Sequence, residues 1–142
     1  MGLFSKRVSD PDICFCRDFG EIVVRLKGYT TGVALSTIAN AILQERGLLE
    51  IVQRHAEKIA GYNIQDCYNI DRAELLNRAE AIMELPYRIS ENDNNLRTRI
   101  MYNGLSILRR MNLLDSEKEI IIRKYLTNND FLIKEYKGMF KL

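Results

Sequence analysis

Tryptophan is absent from this 142-residue chain, and histidine, proline and cysteine are scarce, with one, two and three copies. Two prolines and eight glycines are too few for a collagen-like or low-complexity protein. The three cysteines are an odd number, and the N-terminus carries no secretory leader pattern. We therefore expect reduced thiols in a reducing compartment, which predicts a cytoplasmic (intracellular) protein.

A strong charge of either sign is also missing. The 21 basic and 19 acidic side chains give a net charge of +2, which is too small to indicate nucleic-acid binding by itself. The basic residues are concentrated near the C-terminus, where ten basic residues stand against five acidic ones from residue 96 onward. The longest uncharged run, residues 28–44, is too short and too rich in hydroxyl side chains to predict a transmembrane segment. Contact of the N-terminal segment MGLFSKR with a membrane surface is left open.

The length and the apolar fraction of 46% are typical of one globular domain. We predict an N-terminal tail at residues 1–8 and a single helical domain at residues 9–142. Apolar residues recur at helical spacing along most of the chain. The pattern predicts an all-α fold, a single compact bundle of six or seven helices, with one minor strand allowed at residues 119–123.

Capping residues and helix breakers predict where these helices begin and end. Ser9 is the predicted cap of the first helix, with Pro11 in its first turn. Gly47 is expected to divide the second helical region into two helices, and Pro86 to end the helix that follows Asp71. A further helix is predicted near residues 93–111, a helix capped by Ser116 follows it, and a last short helix lies within residues 128–142.

The segment GYTTG at residues 28–32 has two interpretations. The N-terminus of a helix can bind a phosphate group through its unpaired N–H groups. Phosphate-binding loops add the lysine of GxxxxGK[ST] or the third glycine of GxGxxG, and this segment has neither. We interpret it as a corner, in which Gly28 ends one helix and Thr30 or Thr31 caps the next.

Candidates for metal binding and catalysis are few. A tetrahedral zinc site needs four ligands, and Cys14 and Cys16 could be joined only by Cys67 and His55. A Cys67–His55 pair would also need a third group to orient the imidazole. The carboxylates of the helix after Asp71 lack the Glu-x-x-His partner motif of di-iron bundles. We therefore predict no metal, no cofactor and no enzymatic activity.

Residues 95–114 carry the strongest indication of a binding surface, because they contain no acidic residue. At 100° per residue the apolar side chains fall on one side of a helix together with Gly104. The opposite side carries the predicted site for a partner or an anion, which comprises Arg99, Tyr102, Ser106, Arg109 and Arg110. The alternative interpretation is an ordinary solvated helix face.

Two functions agree with this surface. The first is a non-enzymatic helical interaction protein (an adaptor, regulator or assembly component) that binds a protein partner, with association of identical copies left open. The second is a nucleic-acid-binding regulator that uses the arginine face at 95–114. The order of elements there resembles a winged helix-turn-helix, which requires the segment EIIIRKY, residues 119–125, to be a wing strand.

Overall fold

The computed structural model describes residues 7–8, 10–27, 32–55, 63–64, 70–89, 94–126, 133–134 and 137–138. Within these ranges the fold is all-α, as the sequence predicted. The helices are α1 (Pro11–Leu26), α2 (Gly32–Glu45), α3 (Leu49–His55), α4 (Arg72–Ile89), α5 (Asn94–Arg110) and α6 (Asp115–Tyr125). Two short strands, β1 (Arg7–Val8) and β2 (Asn63–Ile64), pair in parallel, with Arg7 opposite Asn63 and Val8 opposite Ile64.

The two strand alternatives for residues 119–125 were wrong, whereas the helix predicted after Ser116 is present. Neither the minor strand at 119–123 nor the wing strand at 119–125 is present, because this segment lies inside α6. Acidic residues fall in the first turn of α6 and basic residues in its last turn, which suits the helix dipole. An ion pair of 3.0 Å between Glu119 and Arg123 joins successive turns of this helix. These local interactions outweigh the strand preference of three consecutive isoleucines.

The helix caps follow the predicted chemistry more closely than the predicted positions. The cap of α1 is Asp10 rather than Ser9, and the Asp12 N–H donates to Asp10 Oδ1 at 2.9 Å. Asp71 caps α4 as predicted, because the Ala73 N–H donates to its Oδ2 at 3.1 Å. Ser116 is not the cap of α6, which begins after Leu114. There the Leu114 N–H donates to Glu117 Oε1 at 2.8 Å, so a side chain inside the helix satisfies the backbone donor before it.

The prediction that Gly47 separates two helices was confirmed, whereas the prediction that Pro86 ends a helix was wrong. Gly47 separates α2 from α3, as predicted, and its φ of +70° lies in the left-handed region that favours glycine. Pro86 was expected to end α4, but the helix continues to Ile89. The proline removes one backbone donor from the helix. Its side chain is buried, so packing in the core stabilises a conformation that the local sequence disfavours.

Helix α4 lies at the centre of the fold and packs against α1, α2, α5 and α6. One face of α1 supplies Phe15, Ile22 and Leu26 to the core. Gly104 allows α5 to approach α4 closely, since a Cβ at this position would lie 2.7 Å from the sulfur of Met83. The close approach fixes the rotation of α5 about its axis, and with it the residues that this helix presents to solvent.

Several predictions concern residues outside those that the structure describes. They include the corner at residues 28–31, Cys67, and most of the last predicted helix. In the part of the chain that is described, no helix is long and apolar enough to cross a lipid bilayer.

Candidate arginine surface of α1 and α5

The predicted site residues of α5 do not all have the same environment. Ser106, Arg109 and Arg110 are exposed, whereas Tyr102 is half-buried and packs against the core. The side chain of Arg99 lies outside the description, although its backbone belongs to α5. The opposite side of the helix is buried as predicted, through Gly104, Ile107, Leu108 and Met111.

Arg110 is engaged by α1. Its Nη2 lies 3.2 Å from Asp18 Oδ1 and 3.8 Å from Glu21 Oε2. Asp18 is fully buried and also accepts a hydrogen bond of 3.1 Å from Arg17 Nε. A buried carboxylate needs such partners, because an unpaired charge in the interior is strongly unfavourable. Arg110 therefore joins α5 to α1, a role that was not predicted from the sequence.

A shallow groove of about 460 Å³ lies along one side of α1, from the buried Cys16 to the exposed Val24 and Arg25. It is lined by Cys16, Arg17, Gly20, Glu21, Val24 and Arg25. Val24 lies in the last turn of α1 and is 65% exposed, which is high for a valine. A Cβ added to Gly20 would have no heavy atom within 4 Å, so the centre of the groove is open.

The groove and the exposed end of α5 form one continuous surface, which we call the α1–α5 surface. Arg110 connects the two parts, because Glu21, to which it pairs, lines the groove. Arg25 also pairs with Glu21, at 3.2 Å. Three guanidinium groups (those of Arg17, Arg25 and Arg110) thus share two carboxylates, Asp18 and Glu21. Arg109 adds an exposed positive charge at the end of α5, and none of the ion pairs among the described residues includes it.

A second polar cluster is centred on Arg46, which directly follows α2. Its Nε donates to Glu84 Oε2 at 2.7 Å, and its Nη1 donates to Glu80 Oε2 at 3.2 Å and Asn77 Oδ1 at 3.1 Å. Nη2 donates to the Tyr125 hydroxyl at 2.9 Å. These hydrogen bonds join the end of α2 to α4 and α6, so the predicted carboxylates of α4 serve a structural network.

A third polar cluster contains His55. Asp12 Oδ1 accepts a 2.5 Å hydrogen bond from Nη2 of the buried Arg78, and Asp12 Oδ2 lies 3.9 Å from His55 Nε2. Within the described residues, Nε and Nη1 of Arg78 and Nδ1 of His55 have no hydrogen-bond partner. A cleft of about 190 Å³ beside Arg78 is also lined by Glu74. Arg46 lines the cleft as well. Asp12 balances the charge of Arg78, and Glu80 and Glu84 balance that of Arg46. Glu74 adds a further negative charge, so the cleft has no positive excess to attract an anion.

Cys16 lies between this cluster and the groove. Its thiol is 3.7 Å from the Ile51 carbonyl oxygen, to which it donates. Burial, reinforced by the nearby Asp12 carboxylate, raises the pKa of the Cys16 thiol to about 11. The thiolate is the nucleophilic form of cysteine, so this residue is chemically inert near neutral pH. In the described ranges no three His, Cys, Asp or Glu side chains are placed to hold a metal ion.

The groove was not predicted from the sequence, in which no role was assigned to the outer face of the first helix. A signal was nevertheless present, because Gly20 lies in the interior of the helix and Val24 lies beside the charged Arg25. A glycine in a helix interior is unfavourable, and a packing or binding requirement is the usual reason for it.

Comparison with known proteins adds no assignment. The chain matches no protein-family model, no curated protein sequence and no solved structure.

Proposed function

We propose that this chain is a non-enzymatic helical interaction protein, an adaptor, regulator or assembly component that binds a protein partner through the α1–α5 surface. The observation that carries the proposal is the apolar groove on the outer side of α1, with Val24 exposed beside arginine side chains. Protein interfaces combine an apolar centre with a polar rim in which arginine is enriched. Exposed apolar surface that lies in a groove is a recurrent feature of binding sites.

We also propose that the protein has no catalytic activity. The support for this is that the candidate groups are engaged elsewhere, with the thiol of Cys16 kept neutral by burial and the carboxylates of Glu80 and Glu84 bound to Arg46. General acid–base catalysis requires a group that can exchange a proton with a substrate at the working pH. These groups instead stabilise the contacts between helices.

Binding of nucleic acid is the second candidate. It is favoured by Arg109, which is exposed on a helix that has no acidic residue from 94 to 110. It is weakened by Arg110, whose guanidinium contacts Asp18 and Glu21 and would have to leave them to contact phosphate groups. A protein partner tolerates the adjacent carboxylates and also uses the apolar groove, so we place it first.

The test compares two exposed apolar residues with the same accessibility. Val24 is 65% exposed and lies in the groove, and Ile120 is 64% exposed and lies on α6. Partners are recovered by affinity purification of the wild type, Val24→Glu and Ile120→Glu from the native source, with nuclease treatment in one arm. We expect a stoichiometric protein partner that survives nuclease, that Val24→Glu loses and that Ile120→Glu retains.

Three results would contradict the proposal. A partner lost equally in both variants would place the interface elsewhere. A partner lost on nuclease treatment, with salt-dependent binding of a labelled duplex by the purified protein, would favour the nucleic-acid function. A purified complex that Val24→Glu still forms with wild-type affinity would exclude the groove.

A further inference from the structure

We draw no further inference here: the strongest candidate, the cleft of about 190 Å³ between the turn after α2 and the side of α4, carries nothing because Arg78 Nε and Nη1, which have no hydrogen-bond partner among the described residues, are closed to solvent and so to any ligand in the cleft.

Discussion

Arg110 Nη2 lies 3.2 Å from Oδ1 of Asp18, an ion pair in which the carboxylate is fully buried and the guanidinium is half exposed. The pair joins the α1 side of the molecule to the end of α5. It also distinguishes Arg110 from its neighbour Arg109, although the two arginines look equivalent in the sequence. Arg110 stabilises the fold through α1, whereas Arg109 points into solvent.

Replacement of these two arginines by glutamate should therefore have unequal effects. Arg110→Glu places a second carboxylate beside the buried Asp18 and should lower the free energy of unfolding by about 1–3 kcal/mol. Arg109→Glu should change it by no more than about 0.5 kcal/mol, as is usual for an exposed side chain. Urea unfolding followed by circular dichroism measures both values. Equal stabilities of the two variants would show that the Asp18–Arg110 pair does not hold α5 on α1.

Replacement of Gly104 and of Gly20 by alanine should change the stability of the protein in opposite directions. Gly104→Ala should destabilise the protein by about 1 kcal/mol, because the new Cβ would lie 2.7 Å from the sulfur of the fully buried Met83, and the displacement this forces outweighs the gain in helix propensity. Gly20→Ala should stabilise it by up to about 1 kcal/mol, because the methyl group meets no neighbour and alanine favours helix. Thermal unfolding compares the two variants. The combination of Gly104→Ala with Met83→Ala should show non-additive stability, and simple additivity would mean that the two side chains do not compete for space.

Deprotonation of the Tyr125 hydroxyl should lower the stability of the fold at alkaline pH. Burial raises the pKa of its hydroxyl to about 12, from an ordinary value of 10. The folded state then retains the proton over a range in which the unfolded state releases it, so stability should fall as the pH rises from 10 through 12. The fall attributable to this group is about 1–3 kcal/mol. Tyr125→Phe should remove that component, which chemical denaturation at a series of pH values can measure, and an identical pH slope in the variant would refute the assignment.

Cys16 should resist alkylation in the folded protein. The neutral thiol predominates well above neutral pH, since burial raises its pKa to about 11 from 9.0. Iodoacetamide should therefore modify Cys16 slowly in native buffer and rapidly in urea at the same pH. Mass spectrometry of the peptide that contains Cys16 gives both rates. Rapid modification under native conditions would mean that the thiol is accessible and that Cys16 is reactive in the folded protein.

Deprotonation of the Cys16 thiol should also lower the stability of the fold at alkaline pH. The raised pKa of this thiol means that the contribution of the neutral form to stability is complete below pH 9 and is lost as the pH rises through about 11. The Cys16 and Tyr125 contributions overlap between pH 10 and 11. The double variant Cys16→Ala/Tyr125→Phe should therefore have a flatter pH profile than either single variant.

The sequence by itself determined the helical class and most helix positions. Apolar spacing and capping residues placed the helix at 93–111 within a residue or two of α5, and the break at Gly47 followed from the conformational freedom of glycine. The buried side of α5 could be assigned because helical geometry fixes which residues share a face. These features depend on interactions between residues a few positions apart, which a single sequence displays directly.

Only the tertiary structure decided the features that depend on residues distant in the chain. Pro86 stays inside α4 because it is buried among neighbouring helices, although proline disfavours the interior of a helix. Arg110 finds Asp18 across 92 positions of sequence, and so an arginine predicted for a partner became part of the fold. The groove of α1 is likewise a tertiary feature, because a helix has two sides and only the packing of the other helices determines which of them is left exposed.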